Sequence, residues 1–133
     1  ILAEEYLGDE TLDYKFFVFN GSVQFIQVDV DRHTHHKRCF FDVHWKKLPF
    51  GLKYPFYHGH IEAPSKLNDM IQICESIGKS TPFFRIDLYF VNNNIYFGEI
   101  TLSPGSGYEQ FSPIKYDALC WQYFNGMIDQ FPA

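Results

Sequence analysis

The feature that most constrains the fold is a pair of strand-like segments separated by three consecutive asparagines. Residues 83–91 and 95–102 are rich in aromatic and β-branched side chains, and the polar triplet at 92–94 is typical of a hairpin turn. If the middle asparagine is the centre of the turn, Val91 faces Ile95, and this sets the register of the whole hairpin.

That register brings charged side chains together on one face. Asp87 would lie opposite Glu99, and Arg85 opposite Thr101. Two facing carboxylates repel each other unless a cation or a shared proton offsets their charge. Mg²⁺ prefers oxygen ligands and completes its shell with phosphate oxygens and water, so the pattern predicts a magnesium site. The other face would be apolar and carry Phe84, Ile86, Leu88, Phe90, Ile100 and Leu102.

A half-solvated hairpin with incidental charges is the simpler interpretation of these carboxylates. A register change of one residue would also place Asp87 and Glu99 on opposite faces and remove the site. Two neighbouring features favour the metal interpretation: Arg85 lies beside the pair, and the glycine-rich segment 103–107 follows the second strand.

A second hairpin is predicted over residues 12–30. Its turn signal is Asn20-Gly21, a dipeptide that favours the two-residue type I′ turn. With that turn, the polar face of the hairpin would carry Asp13, Lys15, Phe17, Gln24, Ile26 and Val28. The opposite face would carry Tyr14, Phe16, Val18, Val23 and Phe25.

Two helices complete the predicted architecture. Apolar residues follow helical spacing over 65–78, with Ser65 as N-cap and Gly78 at the end. Ser112-Pro113 is typical of a helix start, and that helix is expected near 113–129. Residues 31–63 are mixed and rich in loops. The predicted fold class is α+β, a single domain over 1–133 with an antiparallel sheet and helices packed on one face.

Composition limits the functional classes. The chain has 11 Lys and Arg against 16 Asp and Glu, a net charge of −5, which argues against a general nucleic-acid surface. No apolar run approaches the roughly 20 residues that span a membrane, and no signal-peptide pattern opens the chain. The three cysteines at 39, 74 and 120 are widely spaced, as expected for reduced thiols. We therefore expect a cytoplasmic protein.

The charged hairpin resembles a known superfamily. Arg85-x-Asp87 and Glu99-x-Thr101, followed by Pro104-Gly105, are similar to the metal-binding end of ATP-grasp carboxylate–amine ligases. The resemblance implies ATP and Mg²⁺ as cofactors, with Asp87, Glu99 and Thr101 as metal ligands. Thr101 stands where the superfamily usually has Asn. Arg85 would be a catalytic residue beside the reacting acyl phosphate.

The start of the chain resembles the nucleotide-binding part of the same enzymes. The superfamily's hinge strand, which receives the adenine, is similar to the segment formed by Glu4, Glu5, Tyr6 and Leu7. By position, Asp13 would contact the ribose and Lys15 would lie on the phosphate side. The resemblance covers the C-terminal subdomain and the hinge, so the chain is expected to be a fragment that is inactive alone.

The similarity narrows to the TupA-like branch, which is linked to teichuronopeptide and other surface-polymer biosynthesis, and it extends from about Glu4 to Tyr116. It is carried by Asp13-Tyr14-Lys15-Phe16-Phe17, Phe19-Asn20-Gly21, Asp31-Arg32, His36-x-Arg38, Asp42, Trp45 and Leu48-Pro49.

The basic block at 33–38 has two interpretations. Its histidines could bind a metal, but their spacing fits no zinc site, so a polar loop is the preferred interpretation of them. Related ligases place a basic residue on the phosphates at this position, and a guanidinium suits bidentate phosphate contacts. Arg38 is therefore the preferred phosphate ligand and a second catalytic candidate, with Arg32 as the alternative.

Three functional classes follow. The first is an ATP-dependent carboxylate–amine ligase of surface-polysaccharide or teichuronopeptide biosynthesis. Its partners would be a nucleotide and a carboxylate/amine pair, free or polymer-linked, with no nucleic acid. The second is a metal-dependent glycosyltransferase, suggested by the D-x-D pattern of Asp29-Val30-Asp31. The third is a non-catalytic nucleotide-binding module.

Overall fold

Both predicted hairpins are present, and they lie side by side in one antiparallel sheet. The computed structural model describes residues 12–79 and 82–102, together with the backbone of 111–112. Its elements are β1 (Asp13–Phe19), β2 (Ser22–Val30), β3 (Lys37–Phe41), β4 (Gly51–Leu52), α1 (Leu67–Ile77), β5 (Phe83–Val91), β6 (Asn94–Thr101) and β7 (Phe111–Ser112). The main sheet has the order β3-β2-β1-β5-β6, and β4 pairs with β7.

The predicted α+β class is borne out in part, since the described residues contain an antiparallel five-stranded sheet and one helix. The sequence did not indicate β3, which lies in the stretch that was expected to be mainly loop. The helix expected near 113–129 lies outside the described residues. Among the described residues, no helix is long and apolar enough to cross a bilayer.

The first hairpin has the predicted turn but not the predicted register. Asn20 and Gly21 have φ values of 50° and 84°, as a type I′ turn requires. Beyond Val18 and Val23 a β-bulge shifts the pairing, so Phe17 faces Phe25 and Gln24 is the extra residue. The predicted polar face, with Gln24, Ile26 and Val28, was therefore wrong.

The bulge has a physical reason in the spacing of apolar residues along β2. Val23 and Ile26 are three residues apart, yet both are buried against the helix side of the sheet. A regular strand would place them on opposite faces, so one extra residue is needed between them. As a consequence, Gln27 and Asp29 share the other face with Lys15 and Asp13, which they oppose.

The second hairpin also contains a bulge, and this bulge decides where the acidic residues lie. Its turn has two residues, so Val91 faces Asn94, and the predicted pairing with Ile95 was wrong. Closer to the site the register shifts at Gly98, and Asp87 then faces Glu99. The predicted opposition of these two carboxylates is thus confirmed, although the turn register behind it was not.

The helix confirms one predicted end and corrects the other. Lys66, not Ser65, is the N-cap residue, and its side chain makes no capping hydrogen bond. The N–H of Gly78 donates to the carbonyl of Cys74 at the C-terminal end. A Cβ at Gly78 would lie 2.7 Å from the Phe84 ring and 2.8 Å from Val18. Glycine is therefore needed where the helix meets the sheet.

The two faces of the sheet have different surroundings. The face toward α1 is apolar and is buried by a cluster that includes Tyr14, Phe16, Val18, Ile26, Val28, Met70, Cys74, Phe84, Ile86 and Leu88. Ile77 at the end of α1 is 45% exposed, and Ile100 and Leu102, which were predicted on the apolar face, are 46% and 68% exposed. The second face is apolar at one end only, where the aromatic cluster consists of Phe17, Phe19, Phe25, Phe40, Leu48, Phe50 and Leu52.

Candidate active site

The other end of the second face carries a buried group of charged and polar side chains, here called the charged patch. Its members are Asp13, Lys15, Gln27, Asp29, Arg38, Arg85 and Asp87. All except the partly buried Arg85 are 7% exposed or less. Charged groups removed from water in this way are stable only when they are paired and hydrogen-bonded.

The strand register assembles the patch. Lys15 on β1 lies between Gln27 on β2 and Asp87 on β5, and Asp87 in turn faces Glu99 on β6. Two residues before Lys15 on β1, Asp13 faces Asp29 on β2, and Asp29 faces Arg38 on β3. Residues from five strands therefore meet on one face.

Lys15 joins the two acidic groups predicted to bind ribose and metal. Its Nζ lies 2.5 Å from Asp87 Oδ2 and 2.7 Å from Asp13 Oδ2. Arg32 reaches the same Asp13 oxygen at 3.0 Å, from a side chain that is 43% exposed. The structure thus brings Asp87 to Asp13 and Lys15, although Asp87 lies 72 residues after Lys15 in the sequence.

Arg85 contacts each of the three predicted metal ligands. Its Nε donates to Asp87 Oδ1 at 2.8 Å, and its Nη2 donates to Asp87 Oδ2 at 3.0 Å. The same Nη2 donates to Thr101 Oγ1 at 3.3 Å and lies 3.6 Å from Glu99 Oε1. One guanidinium therefore contacts all three of these side chains, while Lys15 adds a second positive charge at Asp87.

The described ligand set suits magnesium in its chemistry. Asp87, Glu99 and Thr101 offer only oxygen atoms, and Mg²⁺ is usually held by one or two carboxylates together with phosphate and water. Residues 12–79 and 82–102 contain no group of three or more His, Cys, Asp or Glu side chains arranged to hold a metal. The predicted ligand set has only two side chains of these types, Asp87 and Glu99, since its third member is the threonine hydroxyl of Thr101.

Arg38 is tied to Asp29 at the β3 end of the patch. Its Nε lies 2.5 Å and its Nη2 3.3 Å from the two Asp29 oxygens, and its Nη1 donates to the carbonyl of Leu52. Gln27 Nε2 also donates to Asp29, at 3.2 Å. Both Asp29 oxygens are therefore engaged within the chain. Asp31, the other acid of the D-x-D pattern, lies exposed beyond the end of β2.

The histidine-rich segment behaves as a polar loop. His33 and His35 are exposed, whereas His36 stacks on Tyr54 with ring centroids 3.7 Å apart. His36 Nε2 lies 3.3 Å from Asp29 Oδ1. Sequence reasoning missed Tyr54 and Gln27. Gln27 lies two residues before Asp29 and so shares its face of the strand. That alternation could have placed Gln27 in the patch only if the β2 bulge had been known.

Two acidic residues of the patch have pKa values shifted in opposite directions. Burial raises the pKa of Asp13 above its ordinary 3.8, against the lowering effect of Lys15. Burial also acts to raise the pKa of Asp29, but the hydrogen bonds and charge of Arg38 outweigh it, and that pKa is lowered. Asp29 is therefore held as a carboxylate by its partner.

Asp29 should contribute stability that is lost in acid. Because its folded-state pKa lies below the ordinary 3.8, this stability is present above about pH 4 and disappears as the pH falls through the folded-state value. In urea unfolding, Asp29→Asn should be less stable than the wild type near neutral pH, and the difference should narrow in acid. Asp69→Asn, at an exposed position on α1, is the control. A difference that does not change with pH would contradict this origin.

The described cysteines are not nucleophiles. Burial raises the pKa of Cys39 to about 11 and that of Cys74 to about 12. Both thiols therefore stay protonated at neutral pH, whereas the thiolate is the reactive form. The chemistry of the patch is that of carboxylates and fixed cations.

Two buried acceptor atoms of the patch, Asp13 Oδ1 and Gln27 Oε1, lack a hydrogen-bond partner among the described residues. An acceptor buried without a donor costs about 1–3 kcal/mol, so these atoms suit a ligand that brings hydroxyl or N–H groups. The adenine candidates Glu4, Glu5, Tyr6 and Leu7 lie outside the described residues.

The fold and the patch define a domain with paired carboxylates and fixed cations on one face of an antiparallel sheet. Comparison with family models identifies it further. Residues 1–125 match the model of the TupA-like ATPgrasp family, and the chain belongs to that family. It is thus a member of the ATP-grasp superfamily, whose members generally bind ATP and Mg²⁺. This membership suggests a ligase-type enzyme. Neither the curated proteins nor the solved structures yielded a match.

Proposed function

We propose that this chain forms the magnesium- and nucleotide-binding wall of an ATP-dependent carboxylate–amine ligase. The reaction would serve surface-polysaccharide or teichuronopeptide biosynthesis in the cytoplasm. The observation that carries the proposal is the meeting of Asp87, Glu99 and Thr101 around Arg85, on the face that also holds Asp13 and Lys15. Family membership supports the assignment of this face to ATP.

The metal ligands would be Asp87, Glu99 and Thr101. A magnesium ion held there would neutralise charge on the nucleotide phosphates during transfer. Asp87 is 3% exposed and kept in place by Lys15, whereas the Glu99 side chain is 67% exposed and free to turn toward an ion. The site would thus combine one rigid ligand with one adaptable ligand.

The nucleotide would lie along the β1–β2 part of the patch. Asp13 Oδ1 and Gln27 Oε1 would accept hydrogen bonds from the ribose hydroxyls, since both are buried acceptors without a donor. Lys15 uses two of its three donors on Asp13 and Asp87, which leaves one for a phosphate oxygen. Glu4, Glu5, Tyr6 and Leu7 remain proposed contacts for the adenine.

The arginines would stabilise negative charge on the transferred group. Arg85 would act on the acyl phosphate, which forms when the substrate carboxylate takes the terminal phosphoryl group and which the amine then attacks. Arg38 has five N–H groups and uses three of them on Asp29 and Leu52, so two remain for phosphate oxygens. Arg32 is the more exposed alternative.

Nucleotide binding separates this proposal from a glycosyltransferase. We expect Mg²⁺–ATP to bind the full-length protein and to raise its thermal transition, and a sugar nucleotide with Mn²⁺ to do neither. Glu99→Gln should weaken the response to Mg²⁺–ATP. Glu62→Gln should not, because Glu62 is paired with His60 on the exposed surface. Isothermal titration calorimetry provides the measurement. Preference for the sugar nucleotide, or binding of ATP unaffected by Glu99→Gln, would overturn the proposal.

A further inference from the structure

Arg85 occupies the position from which a cation would neutralise the proposed metal ligands. Its guanidinium is within 3.6 Å of oxygen atoms from Asp87, Glu99 and Thr101. No other side chain among the described residues contacts all three. The ion pair with Asp87 is bidentate, the geometry that favours Arg over Lys.

We propose that Arg85 is the resident counter-cation of the metal site and that a divalent ion displaces it. This inference rests on the proposed function, because it takes Asp87 and Glu99 as the metal ligands. Binding of the ion would release the guanidinium from Asp87. Arg85 would then be available to a phosphate oxygen only when the metal is in place, so that the two cations act in a fixed order.

The hydrogen bonds around Asp87 explain why the two cations compete. Asp87 Oδ2 already accepts from Lys15 and Arg85, and Oδ1 accepts from Arg85. A carboxylate offers about four lone-pair positions, so three are in use. A magnesium ion needs its oxygen ligands at about 2.0–2.1 Å and repels a nearby guanidinium. Arg85 is the cation that would move, because it also contacts Glu99 and Thr101, whereas Lys15 is held by Asp13 and keeps the carboxylate oriented.

The arrangement differs in its consequence from an arginine that serves the phosphate alone. Such a residue would leave the affinity for the metal unchanged when no nucleotide is present. A competing counter-cation lowers that affinity in the free protein. Metal binding without nucleotide therefore tests the inference, with a readout that does not require turnover.

The test measures Mn²⁺ binding to the nucleotide-free protein by calorimetry. Arg85→Gln should bind Mn²⁺ about tenfold more tightly than the wild type, since a unit charge next to the ion is removed. The Mn²⁺ affinity of Arg85→Lys should fall between those of the wild type and Arg85→Gln, because lysine keeps the charge but loses the bidentate contact. Lys37→Gln removes the same charge from an exposed position on β3 and should leave Mn²⁺ affinity unchanged. A melting curve of each variant verifies folding.

The outcomes separate this inference from the proposed function. If wild-type binding is lost in Glu99→Gln but Arg85→Gln binds no more tightly, the metal site stands and the competition is overturned. If the wild type and Arg85→Gln both fail to bind Mn²⁺, both proposals are overturned. A crystal structure of the wild type with Mn²⁺ is an independent measurement. Arg85 still bonded to both Asp87 oxygens beside a bound ion would also contradict displacement.

Discussion

In the full-length protein, Glu99→Gln is expected to lower magnesium-dependent ATP turnover by at least about a hundredfold while leaving the free energy of unfolding nearly unchanged. The Glu99 side chain is 67% exposed, and its charge partner in the described structure is Arg85, at 3.6 Å. Removing a screened surface charge costs little stability. The same charge next to a proposed metal ion matters for catalysis. Glu99→Gln should therefore lower turnover strongly while the free energy of unfolding stays nearly the same.

Asp87→Asn provides the contrast. Turnover should be lost to a similar extent, but the free energy of unfolding should also fall by about 3 kcal/mol, because Lys15 and Arg85 lose their buried partner. Thr101→Ala should have a smaller effect on turnover, since its hydroxyl carries no charge.

Steady-state ATP hydrolysis and urea unfolding of the same preparations provide the two measurements. Glu62→Gln is the matched control for Glu99→Gln, because its carboxylate is 89% exposed and pairs with His60. Turnover that persists in both Glu99→Gln and Asp87→Asn would show that the metal site lies elsewhere.

Gly98→Val is expected to reduce turnover at least about tenfold and to lower stability by about 1–3 kcal/mol. A Cβ at Gly98 would lie 2.9 Å from the carbonyl oxygen of Asp87 and 3.0 Å from the Tyr89 ring. The bulge could then persist only with a shift of the backbone. In a regular strand, residue 98 would face Asp87, and Glu99 would turn to the helix side of the sheet.

Deletion of Gly98 separates the bulge from the pairing that it creates. With the same two-residue turn, the shortened strand places Glu99 opposite Asp87 without a bulge, so turnover should be retained better than in Gly98→Val. Gly51→Ala is the control for added volume, because a Cβ at Gly51 would lie 4.0 Å from the carbonyl oxygen of Tyr54, an ordinary van der Waals distance. Assays of ATP turnover and urea unfolding decide the matter. Equal losses in the deletion and in Gly98→Val would contradict a role in register.

Local sequence signals predicted the turns better than the strand registers. Asn20-Gly21 indicated a type I′ turn, and φ values of 50° and 84° confirm it. The bulges at Gln24 and Gly98 depend on which side chains the two faces bury, which only the assembled sheet determines. At Gly98 the error in the turn and the missed bulge cancelled, so the pairing of Asp87 with Glu99 was correct.

The candidate site was predictable where it follows one hairpin and hidden where it joins distant strands. Arg85 and Asp87 lie two residues apart on β5, and alternation is enough to place them together. The contact of Lys15 with Asp87 depends on β1 lying beside β5, which pairs residues 72 positions apart. The partnership of Arg38 with Asp29 required β3, which the sequence did not indicate.

The aromatic cluster has an electrical consequence for the charged patch beside it. Two residues along from Lys15, Gln27 and Arg38, the same strand faces carry Phe17, Phe25 and Phe40. These rings exclude water and polarise weakly, so the field of the adjacent charges is poorly screened on that side. A low-dielectric wall of this kind directs field lines toward the open side of a site. The phenylalanines that stabilise the sheet therefore also strengthen the pull of the patch on a charged ligand.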